Sequence, residues 1–296
     1  MDVIYRYDPF VPIVHQPAAD AEQAMAFLSR GHNRYSTIIS QVNREMMGGP
    51  PAQQIVIPSN ALSLGLPLVS GTAAAQTPYA LVLGCSDARA PIELIFDQSP
   101  NDLFVIRVAG NVLGVECLGS IDYAVANLGK SLRLIVVLGH TTCGAVSAAV
   151  DSYLSPKNYA EIAFTHSLRS LVDRIQTAVR GAAFALKSVG GASVAKTPDY
   201  RDSLIETAVY LNAAITAFDV RREIKHPLAS DKRVVYSVFD LVDQRVRSHP
   251  ANDASMFADV PGGPDDFSEL GARIATAVLG RQTSRPKNRK RPAPKT

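Results

Sequence analysis

Two short apolar runs constrain this chain more than anything else in it. Tyr79–Gly84 reads Tyr-Ala-Leu-Val-Leu-Gly, and Leu132–Leu138 reads Leu-Arg-Leu-Ile-Val-Val-Leu, closed by Gly139. Neither alternates polar with apolar, which is the pattern of a strand covered on both faces. Between them Leu103–Val108 (Leu-Phe-Val-Ile-Arg-Val) is rich in aromatic and β-branched residues. Ile121, Ala124, Val125 and Leu128 then recur at helical spacing, and a second helix is expected to leave the last run at Gly144–Val150. Strand and helix in this rhythm predict an α/β fold, a central, mainly parallel β-sheet flanked by helices. A fourth strand is expected at Arg233–Leu241, with Val246 in a paired edge strand.

Outside that core the pattern is helical. Asp20 is a plausible N-cap for Ala21, Ala24, Met25, Phe27 and Leu28, with Gly31 closing the helix and a second covering Tyr35–Met47. Residues 52–78, broken by Pro58, Gly65, Pro67 and Gly71, read as a long irregular connection. Helices are expected within 161–189, at Asp202–Lys225 and at Phe267–Leu279. The expected organisation is an extended N-terminal arm at 1–19, rich in Pro and aromatics, a single α/β domain at 20–280, and a basic tail at 281–296.

Charge narrows the function classes. The net charge is +3, but residues 281–296 hold seven Lys or Arg and no acid, so residues 1–280 sum to 3 − 7 = −4. A mildly acidic body does not suggest a nucleic-acid-binding face, and the run Arg285–Arg291 reads as a solvated tail rather than a phosphate-binding module. No apolar stretch approaches the roughly 20 residues of a membrane span. Residues 1–15 do not have the pattern of a secretory signal, and three cysteines are too few for a disulfide scaffold, so the expected location is cytoplasmic.

Chemistry-bearing residues follow each run. Gly84-Cys85-Ser86-Asp87-Ala88-Arg89 follows the first, Ala109-Gly110-Asn111 the second and Gly139-His140-Thr141-Thr142-Cys143 the third. Carboxyl ends of parallel strands share one edge, so Cys85, Asp87, His140 and Cys143 are expected to converge there. Two thiolates and an imidazole are a natural zinc set, and three protein ligands leave a fourth position open, as a catalytic site requires. Asp87 is the available fourth protein ligand. From spacing alone, two small buried thiols and a satisfied core histidine fit equally well.

In combination, CSDAR at 85–89, RVAGN at 107–111 and GHTTCGA at 139–145 resemble the β-class carbonic anhydrases. FDQSPNDLFV at 96–105 and SIDYAV at 120–125 are similar to that family's connecting sequence; the likeness is strong from Gln76 to Val150 and weaker to Val246. The resemblance implies zinc on Cys85, His140 and Cys143, a catalytic pair of Asp87 and Arg89, and reversible hydration of carbon dioxide to bicarbonate by a zinc hydroxide that the pair orients. It makes two states possible, one in which Asp87 takes the fourth zinc position and closes the site and one in which Arg89 holds it away; because the chain has no Trp to support a bicarbonate-stabilised closed form, the open state is the one expected near neutral pH. It also implies that Gln76 binds the substrate oxygen, reaching the neighbouring subunit of a homodimer or dimer of dimers, and that Gly110 supplies a backbone position close to the site. Ala88 stands where the family commonly has Ser, and the chain has no Trp. Related zinc hydrolases of carbon disulfide or carbonyl sulfide, and a zinc-holding interaction protein without turnover, are the alternatives. Cys117 matches no ligand and is expected to be a buried thiol.

Overall fold

The apolar runs become adjacent strands because their side chains need cover on both sides. In the computed structural model the elements are β1 (Val3–Tyr7), α1 (Ala21–Met46), β2 (Ile55–Ser59), β3 (Ala80–Gly84), α2 (Ile92–Ile95), β4 (Leu103–Arg107), α3 (Val115–Leu128), β5 (Leu134–His140), α4 (Gly144–Leu154), α5 (Tyr159–Ile162), α6 (His166–Gly190), α7 (Tyr200–Glu223), β6 (Arg233–Phe239), β7 (Val246–Arg247), β8 (Ala258–Asp259) and α8 (Pro264–Thr283). The structure describes residues 3–7, 17–51, 54–59, 66, 71–251 and 254–283. Most of the basic tail and much of the N-terminal arm therefore lie outside the described residues.

β4, β3, β5 and β6 lie in that order, all parallel. β7 and β8 pair antiparallel with the far edge of β6. Every residue of β3 and β5 is buried, whereas β4, at the sheet edge, is only partly so. Leu81, Leu83, Ile135, Val137, Tyr236 and Val238 face a layer built from α3, α4, α6, α7 and α8. Val82, Leu134, Val136, Leu138, Val235 and Phe239 face α1 and α2 on the other side. Successive strand residues point to opposite faces, so each run feeds both layers in turn.

The structure departs from the sequence reading in α1. It is one helix, capped by Asp20, whose carboxylate accepts from Gln23 N at 2.8 Å. Gly31 does not end it. The Phe96 carbonyl packs so close that a Cβ at Gly31 would lie 1.7 Å from its oxygen. The glycine serves a close approach between α1 and the residue after α2. The 52–78 connection contributes β2, which pairs in parallel with β1 in the register Val3↔Ile55. Neither β2 nor β8 is announced by local sequence. Among the described residues no helix is long and apolar enough to cross a membrane.

Candidate metal centre

Strand register brings the ligand set together. Gly84 of β3 stands level with Arg107 of β4 and Leu138 of β5. Cys85 is one residue beyond that row and His140 two beyond it. Thr142, with a left-handed φ of 53°, then turns the chain so that Cys143 becomes the N-cap of α4. The ligand atoms of Cys85, His140 and Cys143 lie within 4.8 Å of one another, and all three residues are buried.

The donor set fits a zinc ion. The two Sγ atoms are 4.0 Å apart. Tetrahedral coordination with bonds of about 2.3 Å would separate two sulfurs by roughly 3.8 Å. His140 Nδ1 donates to the Thr141 carbonyl at 3.0 Å, so the lone pair is on Nε2, a buried atom with no hydrogen-bond partner. An imidazole oriented from behind, with its free nitrogen turned toward two sulfurs, is the usual support of a metal-bound histidine. Without metal the two sulfurs are left in S–H···S contact. Cys85 is held below the ordinary thiol range, chiefly by the Cys143 S–H it accepts, and Cys143 is pushed up by the same bond. A dication that displaces the remaining proton relieves that arrangement.

Asp87 and Arg89 form a fork beside the ligands. Arg89 Nε donates to Asp87 Oδ1 at 3.0 Å and Nη2 to Oδ2 at 2.8 Å, while the Arg89 backbone N–H adds a bond to Oδ1 at 2.9 Å. These bonds hold the Asp87 carboxyl well below the usual carboxylate range. Oδ2 also lies 3.8 Å from His140 Nε2, so it faces the ligand cluster. Gly110, at φ 69°, does not leave its N–H free for a substrate. That group donates to Cys85 Sγ at 3.3 Å. Gln76 is not among the residues brought together. It is exposed on the segment before β3, and Asn101 ties the backbone on either side of it through Ala75 O and Thr77 N. Cys117 is buried in α3 as a core thiol.

Two groups that support the site escape local sequence reading. Arg107, at the end of β4, donates to the carbonyls of Cys85 at 3.0 Å and Asp87 at 2.6 Å and so clamps the loop that carries both. Its place in RVAGN, at the end of a strand, was the one available signal. Asn212 of α7 donates to the Gly110 carbonyl at 2.8 Å across 102 residues of sequence, and no motif marks it.

Residues 80–223 match a family model described as carbonic anhydrase. Among curated relatives, carbonic anhydrase 2 of Mycobacterium tuberculosis is 53% identical over 81 residues, covering 27% of this chain and 38% of that protein. The carbonic anhydrase of Mycolicibacterium smegmatis is 43% identical over 108 residues, covering 36% of this chain and 48% of that protein. The chain thus spans less than half the length of these relatives. Among solved structures, a tetrameric β-carbonic anhydrase of Sordaria macrospora is 25% identical, with TM-score 0.46 over 58% of this chain and 81% of its own. The Coccomyxa β-carbonic anhydrase in complex with acetazolamide is 22% identical, with TM-score 0.47 over 73% of this chain and 88% of its own.

Proposed function

We propose that this chain is a β-class carbonic anhydrase, a reading supported by the match of residues 80–223 to the carbonic anhydrase model, and that it catalyses the reversible hydration of carbon dioxide to bicarbonate and a proton. The observation that carries the proposal is the convergence of Cys85, His140 and Cys143 beside an ionised Asp87 forked onto Arg89. A metal held only for structure needs no such fork at its side.

Cys85, His140 and Cys143 would hold the zinc, which when bound supplies a Lewis acid that makes water nucleophilic near neutral pH, a general property of carbonic anhydrases. The chain's own part is orientation. Asp87 Oδ2 receives one Arg89 bond and retains a lone pair on the side of the ligand cluster. There it would accept a hydrogen bond from the attacking water or hydroxide, without taking the proton, and so aim that oxygen at the carbon of carbon dioxide. Arg89 keeps the carboxylate ionised and off the metal, which supports an open fourth position near neutral pH. The Arg107 clamp fixes the backbone from which Asp87 projects.

The same reading makes the active form a homodimer or a dimer of dimers, with Gln76 donating to bicarbonate in the neighbouring site. Its exposed side chain and its anchored backbone support that role. Gly110 supports the site through its backbone, whose N–H donates to Cys85 Sγ and whose carbonyl accepts from Asn212, and takes no direct part in holding the substrate. The catalytic unit begins at 20, with 1–19 as an arm, and it runs past the expected boundary at 280 because α8 continues to Thr283. Three free thiols suit a reducing cytoplasm.

The test is stopped-flow carbon dioxide hydration by purified protein whose metal content is measured on the same sample. One zinc per chain with rapid hydration is expected. A zinc-loaded chain that hydrates no carbon dioxide, or that turns over carbon disulfide or carbonyl sulfide instead, overturns the reading.

A further inference from the structure

We propose that Asn212 is a positioning residue for the metal centre, holding through the Gly110 carbonyl the backbone N–H that donates to Cys85 Sγ. The inference rests on the reading of Cys85 as a ligand and extends the centre to α7, an element that contributes no ligand.

Asn212 is 3% exposed, in the middle of a helix whose neighbouring residues Val209, Leu211, Ala213 and Ala214 are buried and apolar. A primary amide in such surroundings is expensive unless it is bonded. Its Nδ2 reaches the Gly110 carbonyl at 2.8 Å, and the bond is buried. Gly110 has φ 69° and ψ 15°, and its N–H meets Cys85 Sγ at 3.3 Å. One residue therefore carries both bonds: holding its carbonyl holds the turn that aims its amide. The opposite side of the turn is closed as well, because a Cβ at Gly110 would lie 2.8 Å from Ile175 Cδ1 and 3.0 Å from Ala145 Cβ. Asn212, α6 and α4 leave the Gly110 amide one direction, toward the sulfur.

The consequence is electronic as well as geometric. An N–H donor on a thiolate draws charge from the sulfur, lowers its donation to the metal and fixes its position. Arg107 acts on the Cys85 carbonyl, whereas the Asn212 path acts on the ligand atom itself.

The test uses the full chain loaded with cobalt(II) in place of zinc. Metal affinity is read by competition with a chelator, and the sulfur-to-cobalt absorption band is read on the loaded protein. Asn212→Leu, of similar size and without a donor, is expected to lower affinity about 10- to 100-fold and to move the band to longer wavelength. Asn212→Asp keeps the shape but presents a carboxylate to the Gly110 carbonyl. It serves the same two measurements should the leucine variant fail to fold. A purely structural Asn212 would lower the melting temperature and leave the band of the loaded protein unmoved. A folded variant with unchanged affinity and an unchanged band overturns the proposal while the metal assignment stands. Wild-type protein that takes up no cobalt through sulfur overturns both.

Discussion

Cys85 must act as a thiolate where little water reaches it, and the residues around it make that tolerable. It accepts from Cys143 S–H and from Gly110 N–H. Cys143→Ser removes one sulfur and exchanges it for a weaker ligand. Zinc content is expected to fall from one per chain to a small fraction, measured by metal analysis after dialysis. Asp87 has a folded pKa depressed below its unfolded value, mainly by the Arg89 side chain. Its ion pair is therefore fully stabilising above about pH 4 and is lost only as pH falls through the depressed value. An acid limb of the rate profile between pH 5 and 8 does not belong to Asp87 in the wild type. Arg89→Ala lets the carboxyl return toward about 3.9 and frees it to approach the metal. The hydration rate should fall about 10- to 100-fold with zinc content retained, as a stopped-flow pH profile with parallel metal analysis will show.

With α2, α1 closes the face of the sheet opposite the large helical layer. His32, 3% exposed on α1, donates from Nδ1 to Ile95 O at 3.0 Å and accepts at Nε2 from Val246 N at 3.0 Å, joining α1 to α2 and β7. Burial lowers its pKa. The neutral form is the folded one, so this contribution is complete above the unfolded value of about 6.5 and declines as pH falls through the lower folded value. Urea midpoints should drop between pH 7.5 and 5, and His32→Leu should lose part of that dependence along with about 1–3 kcal/mol. Gly31→Ala drives a methyl into the Phe96 carbonyl, and a loss of about 1–3 kcal/mol by urea unfolding is expected. These joints mark the limit of sequence reading. β3 and β5 were legible because a strand covered on both faces leaves a local apolar signature. The convergence of Cys85, His140 and Cys143 was legible because they follow those strands directly, but their reading as ligands needed the family resemblance of the motifs that carry them. Gly31 misled because a glycine that admits a neighbour's carbonyl and a glycine that ends a helix look the same in one dimension. Asn212 left no trace because its partner lies 102 residues away. β1 and β2, five residues each and flanked by residues outside the described set, pair only through distant sequence.

The whole chain leaves apolar side chains outside its two cores. Val115 is 76% exposed and Tyr123 53%, both on α3. Sedimentation at low micromolar concentration should give a dimer or larger, and Gln76→Ala should lower kcat/KM without changing zinc content or assembly. A fully active monomer would refute the shared site. The placement of the ligands has one further consequence, for the unfolded chain. Cys85 and Cys143 are 58 residues apart, and β4 and α3 lie between them. A metal joined to both closes a loop of that length and removes from the unfolded ensemble the freedom that a disulfide of the same span would remove, about 4 kcal/mol by the chain-entropy relation. A chelator would then do to this protein what a reductant does to a disulfide-linked one. It would restore entropy to the unfolded chain while the packed sheet keeps its contacts, so resistance to denaturation would fall once the metal is withdrawn.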